Sequence, residues 1–273
     1  MDRLGTAGVI ILALNGIFTF VALRDRQVFE KFQLRVYDLK QGEYHRLLSS
    51  AFLHVDWTHF FFNMFSLFIF GGSLERSLGL FYFIVLYLVS LIGGNLLAWF
   101  YHRNDLEYRA VGASGAISGL IFAAIVLFPG MELALLFLPF FFPAWIYGLF
   151  FLAYSMYGIG RQNDNIGHEA HLGGAIIGLF FTLILYPGLI QEHPLTILYL
   201  SVPSVIFMVV LLVKPQLLNQ ILAKPEDNYD LEDRYRADRY SKERRLNEIL
   251  EKLNREGPKA LSAEEREFLE NNY

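Results

Sequence analysis

Ser114 lies in a small-residue stretch, Ala110-Val111-Gly112-Ala113-Ser114-Gly115-Ala116, where a long apolar run begins. A serine hydroxyl is a weak nucleophile and needs a base within hydrogen-bond reach. His171 opens another apolar run and can serve, because an imidazole titrates near neutral pH. Acyl transfer also needs donors aimed at the developing oxyanion. The Asn63 amide, the His59 ring and the Ser114 backbone N–H are the candidates, and His59 and Asn63 share a helix face at i, i+4. The nearest acid to His171 is Glu169, about 200° away around a helix, so the expected unit is a Ser–His dyad.

These groups need elements to carry them. The chain of 273 residues is 54% hydrophobic and 18% charged, greasier than a typical soluble domain. Half of the charge is gathered after Lys214, which points to a polytopic membrane protein with a polar tail. Seven apolar runs read as spans: Ala7–Leu23, Trp57–Phe70, Leu80–Phe100, Gly112–Phe128, Leu133–Tyr154, His168–Tyr186 and Thr196–Val213. The second is short but lengthens if His59 and Asn63 face the bundle. The fifth carries Pro139 and Pro143 and is expected to be kinked or irregular. Even-numbered spans start on one side of the membrane. Counting crossings therefore places Ser114, His171, His59 and Asn63 within roughly 10 Å of one surface at 1.5 Å per residue.

Small residues allow close approach. Gly115 and Gly119 form one such face, and Gly174 and Gly178 another, after Gly173. Gly112 suits backbone approach ahead of the helix. Arg24–Asp56 alternates apolar and charged residues and reads as a structured loop of short helices. Glu75-Arg76 is expected to end the second span. The expected organisation is a membrane domain over 1–214, a charged linker over 215–240 and a helical hairpin over 241–273. In that hairpin Gly257-Pro258 stops one helix, and a Ser262-x-x-Glu265 capping box opens the next.

Composition excludes several classes. A net charge of −4 without a basic stripe argues against nucleic acid. With no cysteine, disulfides and thiolate metal sites are out. The first run lacks a clear cleavage site and is expected to remain a span. His168-Glu169-Ala170-His171 spaces its histidines i, i+3, whereas a zincin helix needs i, i+4, so no metal and no cofactor is expected. A transporter would carry ionisable groups through the depth of the bundle; here they gather near one surface. Each residue also has a plainer reading. A lone Ser114 is a packing serine, Asn63 interhelical glue and His171 a satisfied interhelical histidine. His168 reads as an interface residue, His54 as a loop or interface residue, and His45, His102 and His193 as surface ones.

Five segments together resemble the rhomboid family of intramembrane serine proteases. They are Gly42-Glu43-Tyr44-His45-Arg46, Phe52-Leu53-His54, His59-Phe60-Phe61-Phe62-Asn63, Gly112-Ala113-Ser114-Gly115 and Ala170-His171-Leu172-Gly173-Gly174. The likeness covers Gly42 to Leu185. It implies an all-α six-helix bundle with a seventh span added, and a small soluble helical tail. It also implies Ser114 as nucleophile, His171 as base, and His59, Asn63 and the Ser114 N–H as the oxyanion site. Gly112, Gly115 and Gly174 support them. The implied substrates are single-pass transmembrane proteins, cut in or beside their membrane segment among membrane lipids. The implied location is a multi-pass place in the bacterial inner membrane. A non-catalytic relative that binds or escorts membrane clients is the alternative, and its mark would be a lost serine or histidine. Two departures stand out. His45-Arg46 replaces the Trp-Arg frequent in the family, and Ser118 stands where some members place an aromatic against the catalytic histidine. The family orientation puts the active site near the outer face, whereas the bases Arg24, Arg26, Lys31, Arg35, Lys40 and Arg46 would by charge alone hold their loop in the cytoplasm.

Overall fold

The computed structural model describes residues 4–134, 141–161 and 167–213, and in the C-terminal part 245–246, 249–250, 252–253, 255 and 257–272. The chain forms two compact units, Met1–Leu222 and Ala223–Tyr273.

The first unit is a helical bundle. Helix α1 spans Thr6–Ala22 and buries Ala7, Ile11, Asn15, Thr19 and Ala22, a stripe at helical spacing. The loop that follows folds into α2 (Arg26–Phe32), β1 (Leu34–Arg35), α3 (Val36–Lys40), α4 (Arg46–Ser49) and a 3₁₀ turn over Ser50–Phe52. Arg46 is the hub of that loop. Its buried guanidinium donates to the Glu30 and Gln33 carbonyls at 2.7 and 2.8 Å and meets Glu43 at 2.7 Å and Asp38 at 3.2 Å. Two of the loop's other bases are also engaged: Arg35 pairs with Glu107, and Arg26 with Glu30. His45 packs edge-on to Phe32 in the place expected for tryptophan.

Helix α5 runs Trp57–Tyr101 but is broken at Gly79, whose φ of 76° and ψ of 162° are not helical. Its two legs are the second and third expected spans, each about 33 Å long at 1.5 Å per residue, enough for a hydrocarbon core of about 30 Å. The second span thus continues well past Phe70. Glu75 does not end it. Its buried carboxylate instead accepts from the Ala7 and Gly8 amides at 2.9 and 3.0 Å, capping α1. The reason is tertiary: the α1 N-terminus abuts this turn of α5, and its orphan amides need an acceptor.

After α5 come β2 (Arg109–Ala110) and α6 (Ser114–Leu127). Every α6 residue from Gly115 to Val126 is buried, which fits a helix apolar on all sides. The fifth run corrects the sequence reading. Glu132–Ala134 (β3) pairs antiparallel with Phe141–Pro143 (β4), and the helix α7 covers Ala144–Arg161. Pro143 sits in the hairpin and precedes the helix, a position where its missing N–H disturbs no helical bond. Pro139 lies outside the described residues. Helices α8 (His168–Leu185), α9 (Leu189–Glu192) and α10 (Pro194–Val213) complete the unit. Among the described residues, α5, α8 and α10 are long and apolar enough to cross a membrane by length and composition; α1, α6 and Ala144–Ile159 are apolar but shorter.

In the second unit, α11 covers Ala263–Asn272. Its capping box is reciprocal: the Glu265 amide donates to Ser262 Oγ at 3.1 Å, and the Ser262 amide donates to Glu265 Oε2 at 2.6 Å. Lys252 meets Glu265 at 2.8 Å, and the Arg245 guanidinium lies 5.0 Å from the Phe268 ring centre. The expected linker over 215–240 lies outside the described residues.

Candidate active site

The site forms where α6 begins, so the approach to α6 is decisive. β2 pairs with β1 of the long loop, Leu34 opposite Ala110 and Arg35 opposite Arg109. The Gly112 amide then donates to the Ser50 carbonyl at 2.9 Å. Asn95 on α5 donates to the Leu47 carbonyl at 2.8 Å and reaches Ser50 Oγ at 3.2 Å, fastening the loop to the bundle. Gly112 has φ +121°, a conformation that L side chains rarely adopt. A Cβ there would also lie 2.7 Å from His59 Cε1 and 2.9 Å from His59 Nε2. Glycine is therefore required both by the turn and by the ring beside it.

Ser114 is the first residue of α6, and its Oγ lies 2.6 Å from His171 Nε2 on α8. Nothing local in either helix produces this pairing; the contact between the helices does. The Ala170 carbonyl, one residue before His171, would be struck by a Cβ at Gly94, and a Cβ at Gly115 would approach it to 3.3 Å. A Cβ at Gly174 would run into the Gly115 carbonyl, and one at Gly178 into the Gly119 carbonyl. These glycines let α6 and α8 meet backbone to backbone, with Ser114 and His171 at the end of the seam.

His59 opens α5 one turn above Asn63. Asp56 caps this helix by accepting from the His59 amide at 2.7 Å. Asn63 is buried, and its Nδ2 donates to the His59 carbonyl at 2.9 Å. That bond uses one N–H of the amide, and an asparagine has two. Helix α6 opens without a side-chain cap, so its first amides have no helical acceptor and its positive end faces the site.

Sequence reasoning missed the ring beside His171. Ser118 donates back to the Ser114 carbonyl at 2.7 Å. The aromatic comes instead from α7: Phe151 lies 5.9 Å from His171 between ring centres, tilted by 33°. The available signal was the helical spacing of Tyr147, Phe151 and Tyr154, which the misplaced fifth span obscured. His168, read as an interface residue, is buried and lies edge-on to His171 at 6.0 Å and to Tyr154 at 5.1 Å. A Cβ at Gly158 would run into its ring.

Two further histidines depart from expectation. His54 lies in the loop before α5, one of its two expected places, but is fully buried there. Its Nδ1 lies 2.8 Å from Thr19 Oγ1, and its ring is T-shaped against His59 at 4.9 Å. Burial first, then the nearby His59, pushes its pKa down to about 3 against an opposing pull from Asp56. His102, read as a surface residue, has a side chain only 11% exposed, stacks on Tyr108 at 3.6 Å and lies 3.1 Å from Glu169 Oε1. Burial, followed by the Glu169 and Asp105 charges, raises the Tyr108 phenol well above its ordinary range and keeps that ring neutral. Among the described residues, no group of three or more His, Cys, Asp or Glu side chains could hold a metal ion.

The family model described as "Rhomboid domain" matches residues 41–188, which is 148 of the 273. The chain belongs to the rhomboid family. It is accordingly an all-α rhomboid-like bundle and an integral membrane protein. A second model, "Family of unknown function (DUF6576)", matches residues 229–272. RHOMBOID-like protein 12, mitochondrial, of Arabidopsis thaliana is 31% identical over 62% of this chain and 54% of its own length. Rhomboid protein 1, mitochondrial, of Saccharomyces cerevisiae is 33% identical over 50% of this chain and 40% of its own. Rhomboid protease AarA of Providencia stuartii is 29% identical over 66% of this chain and 70% of its own. The chain thus spans about half the length of the first two curated relatives it matches. Rhomboid relatives occur in mitochondria, chloroplasts and bacteria, so membership selects a membrane protein without selecting one membrane.

Proposed function

We propose that this chain is an intramembrane serine endopeptidase acting on membrane-anchored proteins, with Ser114 as nucleophile and His171 as its base. The observation that carries the reading is the 2.6 Å approach of Ser114 Oγ to His171 Nε2 at the opening of a buried helix. Helix α6 has 14 residues, so it covers about 21 Å. That is less than the hydrocarbon thickness of about 30 Å, and such a helix can open within the membrane's depth. A peptide bond beside or within a substrate's single membrane-spanning segment is the bond such a site would reach.

In this reading the Ser114 hydroxyl donates to His171 Nε2 and then attacks the scissile carbonyl as its proton moves to the imidazole. The charge that develops on the carbonyl oxygen is met by the Ser114 N–H, the His59 ring and the second N–H of Asn63. His171 returns the proton to the leaving amine, and water then releases the acyl group by the same steps. Glu169 is turned to His102, so the acid–base work rests on a dyad. Phe151 bears on the imidazole in place of an aromatic from α6.

The test is covalent labelling with a fluorophosphonate, paired with cleavage of a model transmembrane substrate in lipid vesicles. Wild type is expected to label and cleave. Ser114→Ala is expected to do neither while melting at an unchanged temperature. Wild type that does not label, or cleavage that survives Ser114→Ala, overturns the reading and leaves a client-binding role.

A further inference from the structure

Glu169 and His102 have no part in the chemistry above, yet both are largely buried beside it. Glu169 is 3% exposed in the first turn of α8, two residues before His171. A buried carboxylate is costly unless something answers its charge. The described side chain beside it is His102, whose Nε2 lies 3.1 Å away, at ion-pair distance but outside hydrogen-bond geometry. The His102 amide closes the end of α5 by donating to the Ala98 carbonyl at 2.9 Å. The His102 ring stacks on Tyr108 with centres 3.6 Å apart and planes 9° apart.

Tyr108 in turn belongs to the segment that delivers the serine. Its carbonyl accepts from the Val36 amide at 3.1 Å, and the next residue, Arg109, opens β2. Gly112 and Ser114 follow directly. At the other end of the chain of contacts, a Cβ on Gly167, the residue that caps α8, would lie 3.5 Å from the Tyr108 hydroxyl. Glu169, His102 and Tyr108 therefore connect the turn of α8 that holds His171 to the strand that leads into Ser114. The connection does not pass through the Ser114–His171 contact itself. The glycine seam fixes how closely α6 and α8 approach, but a smooth seam of small residues resists sliding and rotation poorly. A buried polar contact at the top of α8 supplies that resistance.

We propose that Glu169, His102 and Tyr108 form a brace of positioning residues that sets the orientation of His171 against Ser114. This rests on the reading of Ser114 and His171 given above. The brace acts on the alignment of the reacting groups, so its loss should slow the acylation step and leave substrate capture unchanged.

The experiment uses the full chain in vesicles and compares wild type, Glu169→Gln, His102→Gln and the double variant. The readouts are the fluorophosphonate labelling rate, kcat and KM for a transmembrane substrate, and the melting temperature. Each single variant is expected to lower labelling rate and kcat by about 10-fold or more, with KM within about twofold and melting little changed; misalignment of about 1 Å can cost 10²-fold. The double variant should be no slower than the worse single, because both changes break one contact. Glu169→Asp, which keeps the charge, should recover part of the rate. Single variants that label at the wild-type rate overturn the brace while leaving the reading of Ser114 intact. So do losses that multiply in the double variant or that follow the melting temperature. Wild type that does not label overturns both.

Discussion

The two ends of the α6–α8 contact are held by opposite means. At the Ser114 end, the loop, β2, Gly112, His59 and the helix opening are tied by directed polar bonds, most of them to backbone atoms. Further along, Gly115, Gly119, Gly174 and Gly178 have no side chains to bond, and the helices meet through their backbones. Polar bonds fix angles and can be lost singly. A glycine seam fixes distance, and any added atom pushes along its whole length. The site needs both: a hydroxyl and an imidazole at hydrogen-bond distance, and donors aimed at one point beside them.

Breaking the seam should have the larger effect. Gly174→Val would force a side chain into the Gly115 carbonyl, and neither backbone can yield without parting the helices. We expect a loss of about 1–3 kcal/mol in stability together with loss of fluorophosphonate labelling, measured by thermal denaturation and labelling of the same preparation. Gly115→Ala sharpens the point, since its Cβ would stop 3.3 Å from the Ala170 carbonyl. That variant should keep its fold and part of its activity. Equal damage from the two would show that the seam is not as graded as its distances suggest.

Breaking the polar end should leave the fold and slow the chemistry. Asn63→Ala removes one oxyanion donor and is expected to lower kcat by roughly 10- to 10³-fold, with melting changed little. A change confined to KM would remove Asn63 from that role. The smallest effect concerns His54, which is neutral in the fold because burial holds its pKa near 3, below an ordinary value of 6.5. The unfolded chain binds that proton first as pH falls. The stability His54 contributes is therefore complete above about pH 6.5 and is lost progressively toward pH 3. His54→Gln should flatten the fall in melting temperature between pH 7 and pH 4.5. An unchanged slope would assign the acid sensitivity to other groups.

Much of this could be read from the chain because membranes simplify the problem. In a helical bundle a run that spans the bilayer must be a helix, and crossing parity then sets which ends share a surface. By that logic Ser114, His171, His59 and Asn63 are expected on one side of the membrane. It failed where the apolar signal had no helical meaning. Leu133 and Phe141–Pro143 are as greasy as a span but form a hairpin, and hydropathy cannot distinguish the two. The failure then hid Phe151, because the phase of α7 was unknown. His102, His54 and Glu75 were misread for a different reason. Polar residues near span ends look solvated in sequence, and only the fold reveals a buried partner 35 to 68 positions away: His102 beside Glu169, His54 beside Thr19, Glu75 beneath Ala7 and Gly8.

The sequence by itself determined the family, the helical class and the inventory of candidate groups, because residue type, hydropathy and spacing are local properties. The tertiary structure decided what those groups touch. It took the ring beside His171 from α7, turned Glu169 toward His102, spent one Asn63 N–H on its own helix and brought Ser114 Oγ to 2.6 Å from His171. These outcomes depend on where glycines let two backbones meet, and that distance is a property of both helices at once.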